Sequence, residues 1–225
     1  MRRITTNQNN IENPILKYNG KNYLFFSKSI IIFFIGTPIL SIFLYFFLNM
    51  RINYWLYDLI SRQIIFLLNN MLNLEAELIL NLENDSYPII YIPNHPFNGN
   101  YIISGACIGA HVFSIFIAIV LFVPSSRDPS THKDFKWRKL KTLFTSILVI
   151  HVLNVFRIVF LIFFNFNGVP FEFIHQSLFF ISAIIGALFF AYLLHKWLPE
   201  LFISMYYIYP LITQKRLKSI ENIQV

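Results

Sequence analysis

Four stretches of this sequence, 29–48, 101–123, 142–166 and 171–194, are almost unbroken apolar runs. At about 1.5 Å per helical residue each is long enough to cross roughly 30 Å of hydrocarbon. That feature decides the solvent. Of the 225 residues 56% are hydrophobic and only 13% charged, with a mean hydropathy of +0.57. A soluble domain of this size needs about 25% charged residues, so a disordered chain, a secreted disulfide scaffold and an ordinary cytosolic enzyme are all excluded. The single cysteine, Cys107, leaves no disulfide within the chain. The net charge of +7 points to a membrane surface rather than to nucleic acid, because the cations sit in short blocks between apolar runs.

The cation blocks set the expected orientation. Residues 1–28 are polar and hold five basic residues, and the run that follows has no small-residue cleavage site, so 29–48 reads as a retained membrane helix with a cytoplasmic N-terminus. Residues 124–141 form a hydrophilic loop with Arg127, Lys133, Lys136, Arg138, Lys139 and Lys141, which marks it as cytoplasmic. Run 101–123 then goes inward, 142–166 returns, and 171–194 goes inward again. The link Asn167-Gly168-Val169-Pro170 is an outer turn. A segment over 53–74 looks helical but is interrupted by Asp58, Arg62, Gln63, Asn69 and Asn70, and reads as an amphipathic helix in the outer interface or a shallow re-entrant one. Short β-type runs at 78–82, 88–92 and 101–103, separated by turns at 83–86 and 94–100, predict a small external hairpin. Segment 197–212 is short for a span and holds two prolines.

The architecture this predicts is an all-α polytopic membrane protein: a bundle of four to six transmembrane helices with a small external β-type segment before the Cys-bearing helix. Its parts are a cytoplasmic segment 1–28, an integral membrane domain 29–214 and a cytoplasmic tail 215–225.

A few residues are ones that lipid does not tolerate without reason. Arg157 sits in an otherwise apolar helix, where a guanidinium costs about 2.5–3.5 kcal/mol on insertion scales, so it should face protein or a wet cavity. A structural ion pair is the plain alternative. Asn154 lies three residues earlier on the same helical face, placed to bond what Arg157 holds or to fix its rotamer. Cys107 stands in Ser104-Gly-Ala-Cys-Ile-Gly-Ala110, near the outer start of its helix. The small residues there, Gly109 among them, suit close helix packing, while a helix N-terminus and a nearby arginine both favour a thiolate. His175 opens the last long run. Periodicity leaves His111, four residues after Cys107, and His151 as competitors.

Depth separates them. Cys107 is 17 residues from Pro124, Arg157 is 16 from Lys141, and His175 is 20 from His195. These spacings give heights of about 25, 24 and 30 Å above the inner boundary, against about 20 and 15 Å for His111 and His151. Thiol, guanidinium and imidazole then share one level beneath the outer surface. Together they supply nucleophile, oxyanion stabiliser and general acid/base for cysteine acyl transfer.

The order Cys107, then Asn154-x-x-Arg157, then His175, preceded by a β-type external segment, resembles the archaeosortase/exosortase family of integral-membrane cysteine transpeptidases over about residues 52–195. Many members carry Cys-Ser-Gly or Cys-Thr-Gly where this chain has Cys107-Ile108-Gly109. The resemblance implies that Cys107 is the nucleophile, Arg157 the essential cation and His175 the third member. It implies substrates that are secreted proteins ending in a short motif, a transmembrane helix and a basic cluster. The apolar runs and cation blocks predict a cytoplasmic-membrane location with the site on the extracytoplasmic side and membrane lipid, not nucleic acid, as a partner, and no cofactor is expected. A different class remains: a small transporter or assembly factor in which Arg157 binds an anion. A metal site from Cys107 and His111 is a third reading, but it has no obvious third or fourth ligand.

Overall fold

A computed structural model describes residues 6–7, 15–79, 87–97, 99–105 and 107–208. Expectations for the turn over 83–86, Ala106 and the tail 215–225 lie outside them. The elements run β1 (Thr6–Asn7), β2 (Ile15–Tyr18), β3 (Lys21–Tyr23), α1 (Ser27–Leu48), a 3-10 turn (Arg51–Asn53), α2 (Tyr54–Leu72), β4 (Glu77–Ile79), β5 (Ile89–Tyr91), β6 (Asn100–Ile102), α3 (Ala110–Phe122), α4 (Pro129–His132), α5 (Phe135–Phe166) and α6 (Phe171–Trp197). The chain is therefore not all-α, since small β-strands precede the helical stretches. Residues 200–208 are also helical.

Among the described residues, α1, α5 and α6 are long and apolar enough to cross a membrane, and α3 is a shorter apolar helix. Their outward side chains settle what surrounds them: Ile35, Phe43 and Leu188 are 58%, 62% and 68% exposed. Helices apolar on every side are stable against lipid, not water. The chain is a multi-pass membrane protein.

Two expectations need correction. Run 101–123 is not one helix. Its first part is β6 and a turn, and α3 begins only at Ala110. Ile102 and Ile103 are β-branched and pair well in a sheet, while Gly105 and Gly109 break helical continuity. At about 1.5 Å per residue the helical remainder is nearer 20 Å than 30 Å. Secondly, 124–141 is only partly a loop, because α5 starts at Phe135 and Arg138, Lys139 and Lys141 are helical.

Contacts divide the chain into two compact units, with α1, α3, α5 and α6 contributing residues to both. In the first (up to Ile39, Ile117–Phe144 and from Ala191), β1, β2 and β3 form an antiparallel sheet, closed between β2 and β3 by Asn19-Gly20 at φ 51° and 74°. That dipeptide is a strong two-residue hairpin signal. Leu16, Tyr23 and Phe25 pack on Ile30, Ile203 and Tyr207. Arg138 forms a buried ion pair with Glu200 at 2.5 Å.

The second unit comprises Leu40–Phe116 and Thr145–Phe190. Helix α2 buries Tyr57, Ile60, Ser61, Ile64 and Leu68, one face at helical spacing. Its polar residues are engaged: Asp58 pairs with Arg62 at 2.9 Å, Gln63 bonds His151 at 2.8 Å, and Asn69 holds both backbone groups of Ala76 at 2.6 and 3.0 Å. Asn73 ends the helix in the left-handed conformation. Strands β4, β5 and β6 make a second antiparallel sheet in that order, with Ile79 opposite Ile89 and Ile89 opposite Ile102. Ile90, Ile92 and Ile103 join Val155, Ile158 and Ile162 of α5 in one core.

Candidate functional site

The second unit holds a cavity of about 680 Å³. Phe97 of the β5–β6 turn with Tyr101 and Ile102 of β6 forms one side, the turn before α3 gives Cys107, α5 gives Arg157 and Asn165, the link after α5 gives Val169, and α6 gives Phe171 and His175. Cys107, Arg157 and His175 therefore line one space. All three are half-buried, accessible to a ligand yet shielded on one side.

Cys107 is not on a helix, as the sequence pattern implied, but in the turn three residues before α3. That turn is built by backbone bonds: the amides of Cys107 and Ile108 donate to the Ser104 carbonyl at 2.9 and 3.2 Å, and Ala110 donates to Gly105 at 3.1 Å. Gly109 completes it at φ 76°, where a side chain is strained. The sulfur receives the Ser104 hydroxyl at 3.7 Å and donates to the Ile102 carbonyl at 3.6 Å.

Asn154 differs from its expected role. Its amide donates to the Cys107 carbonyl, so it pins the cysteine turn to α5 directly. One helical turn along α5, Arg157 lies within electrostatic reach of Cys107. A cation placed there can meet a developing oxyanion. His175 stacks on Phe171 with ring centroids 5.5 Å apart and planes 14° apart, which orients the imidazole.

The competing histidines are elsewhere. With Cys107 off the helix, its four-residue spacing from His111 no longer puts the two on one face. His111 is exposed, stacks on Tyr45 at 4.2 Å and lines a second cavity of about 320 Å³. His151 bonds Gln63 and lines a third, of about 470 Å³. Arg157 and His175 line both of the first two cavities, whereas Cys107 lines only the first. The second is walled by apolar or small residues such as Ile115, Phe179, Ala183 and Gly186. Among the described residues no three metal-ligating side chains converge.

Two features were missed from sequence. One is the Ser104 bond to the sulfur. The other is a hydrogen-bond chain at the wall of the first cavity: the Phe97 amide donates to His95 Nδ1 at 3.0 Å, His95 Nε2 meets Tyr101 Oη at 2.8 Å, and Tyr101 donates to Asn165 Oδ1 at 2.6 Å. Asn165 then donates to the Val169 carbonyl at 3.0 Å. Burial holds the His95 imidazole below its usual range and pushes the Tyr101 phenol up to about 12. Tyr101 and Asn165 are 64 residues apart, and no local pattern signals such a pairing.

No protein-family model, curated protein or solved structure matches the chain.

Proposed function

We propose that this protein is a membrane-embedded cysteine protease or transpeptidase of the exosortase/archaeosortase type, with four to six spans and its site on the extracytoplasmic side. The observation that carries this reading is the single cavity lined by Cys107, Arg157 and His175. The Cys107 thiolate attacks a peptide carbonyl of a secreted protein just outside the substrate's membrane helix, and the C–S bond forms as the carbonyl oxygen takes the negative charge beside Arg157. Collapse expels the amine, which takes its proton from His175, and leaves a thioester on Cys107. His175, now neutral, takes a proton from the incoming nucleophile, which attacks the thioester and frees the Cys107 thiolate. Water makes the reaction hydrolysis. An amine, such as that of a lipid headgroup, makes it transfer. Asn154 and Gly109 support the site by fixing the turn that aims Cys107. The second cavity reaches Arg157 and His175 without the thiol, which suits an acceptor with a hydrocarbon tail.

The test is to trap a substrate on the wild-type enzyme as a hydroxylamine-sensitive adduct. Cys107→Ala should abolish the adduct and processing, Arg157→Ala should abolish processing, and His175→Ala should slow both halves. An adduct that persists in Cys107→Ala refutes the reading. The second cavity also favours one other function, a transporter or assembly factor in which Arg157 and His175 hold an anionic group. Activity of that kind survives Cys107→Ala and is lost in Arg157→Ala.

A further inference from the structure

We propose that Ser104 is a positioning residue for the Cys107 thiolate, its hydroxyl being the donor that holds the sulfur when the thiol proton leaves. This rests on reading Cys107 as a nucleophile. The Ile102 carbonyl and the Ser104 hydroxyl respond to ionisation of Sγ in opposite ways. The Ile102 carbonyl, 3.6 Å away, accepts from a thiol but repels a thiolate. The Ser104 hydroxyl, at 3.7 Å, donates to either form, and its bond strengthens when the acceptor is charged, by about a factor of two.

The placement is built into the chain rather than a chance rotamer. Residues 104 and 107 are the ends of one turn, because the Ser104 carbonyl accepts the Cys107 amide. Asn154 holds the Cys107 carbonyl from α5. Ile108, the next residue, is 3% exposed and has no donor in its side chain. Among the described residues, the other titratable or charged groups around the sulfur are Arg157 of α5, His175 of α6 and Tyr101 of β6, which line the same cavity, and Tyr57 of α2, within electrostatic reach. All four remain in a Ser104 variant, and so do the backbone bonds of the turn.

The experiment uses the full chain in detergent, where Cys107 is the only thiol. The rate of iodoacetamide alkylation is measured by mass spectrometry from about pH 6 to about pH 11, spanning the range in which thiols ionise. Ser104→Ala should react about threefold more slowly near neutral pH, where the rate follows the thiolate population. Near pH 11 it should react at least as fast as wild type, because a more basic thiolate is the better nucleophile. A change in access or shape instead moves the whole profile one way, so the crossing of the curves is the signature. Ser104→Thr keeps the hydroxyl and should restore the wild-type curve, and Ser104→Gly gives the same deletion if the alanine variant does not fold.

Profiles for the deletion that superimpose on wild type, or lie parallel to it at every pH, overturn the proposal. So does a threonine variant that matches alanine. Alkylation needs no substrate, which keeps the two claims apart. Superimposed curves with processing still lost in Cys107→Ala refute only the role of Ser104, while crossed curves with processing intact in Cys107→Ala refute only the transpeptidase.

Discussion

Helix α5 carries Arg138 and Arg157, one in each compact unit, and the protein treats them differently. Arg138 is answered on every side. Its Nη1 donates to the Trp197 carbonyl at 2.8 Å and to Glu200 at 3.0 Å, and its Nη2 to the Thr131 carbonyl at 2.9 Å and to Glu200 at 2.5 Å. Glu200 itself is fully buried. Arg157 instead lines two cavities, neither of which has a carboxylate among its described lining residues. One cation is a staple joining α5 to the chain after α6. The other stands where a ligand's charge can reach it. The lesson is that the cost of an arginine in an apolar helix shows only that it must be accommodated. Whether it serves the fold or a ligand depends on what the fold brings to it.

Stability is where the two should differ most. Glu200→Ala leaves the Arg138 charge half-buried without its acid and should cost about 3–5 kcal/mol, read as a fall in thermal midpoint in detergent. Replacing the pair together, Arg138→Met with Glu200→Leu, should recover most of that loss, since well-packed apolar substitutes for a buried pair are often neutral. Arg157→Met should lower the midpoint less than Glu200→Ala does, because its side chain lines two cavities, and should lower substrate processing about 100-fold or more, the size expected for losing an oxyanion donor. An Arg157→Met protein that unfolds as readily as Glu200→Ala breaks the comparison and makes Arg157 a second staple.

A smaller effect is expected one step further from the charge. Gly109→Ala forces a side chain onto a backbone at φ 76° and should cost about 1–2 kcal/mol. An added Cβ would meet Asn154 only at 3.6 Å, an ordinary contact, so the penalty is conformational rather than steric. If the Cys107 turn is the precise part of the site, the variant should lose more processing than stability. Equal losses would mean that the turn is merely packing.

The membrane character of the fold was legible because hydrocarbon thickness imposes a length on apolar runs, and α1, α5 and α6 follow it. The start of α3 was not, because Tyr101-Ile-Ile103 is as apolar as a helix and hydropathy does not distinguish strand from span. Only Gly105 and Gly109 marked the break. The Asn19-Gly20 hairpin carried a clear local signal that the polar composition around it obscured. In the site, residue chemistry singled out Cys107, Arg157 and His175 because thiols, cations and imidazoles stand out against lipid. Cys107 lies before α3, so the helical face it was expected to share with His111 does not exist, and Ser104 carried no signal of its own. Glu200 was an isolated acid in an apolar stretch, a signal of the same kind as Arg157, but its partner lies 62 residues away.

The smallest prediction tests the wall of the cavity and is read as a slope. Because the Phe97 amide donates to His95 Nδ1, that nitrogen must keep its lone pair, so His95 is neutral and its Nε2 proton goes to Tyr101 Oη. Tyr101 is then free to donate to Asn165, and every donor in the chain has an acceptor. Burial already holds the imidazole below its usual range. The unfolded chain takes up a proton near pH 6.5 while the native one does not, so stability should be level above about pH 7.5 and fall as the pH drops through the unfolded value. His95→Gln retains an acceptor and a donor but does not titrate. The difference in unfolding midpoint between wild type and His95→Gln should therefore narrow or turn against wild type on acidification, with the contributions of the other histidines cancelling. If wild type instead gains on the variant as the pH falls, His95 is protonated in the native state. The hydrogen-bond chain behind the cavity wall would then carry a cation at His95 rather than a neutral imidazole.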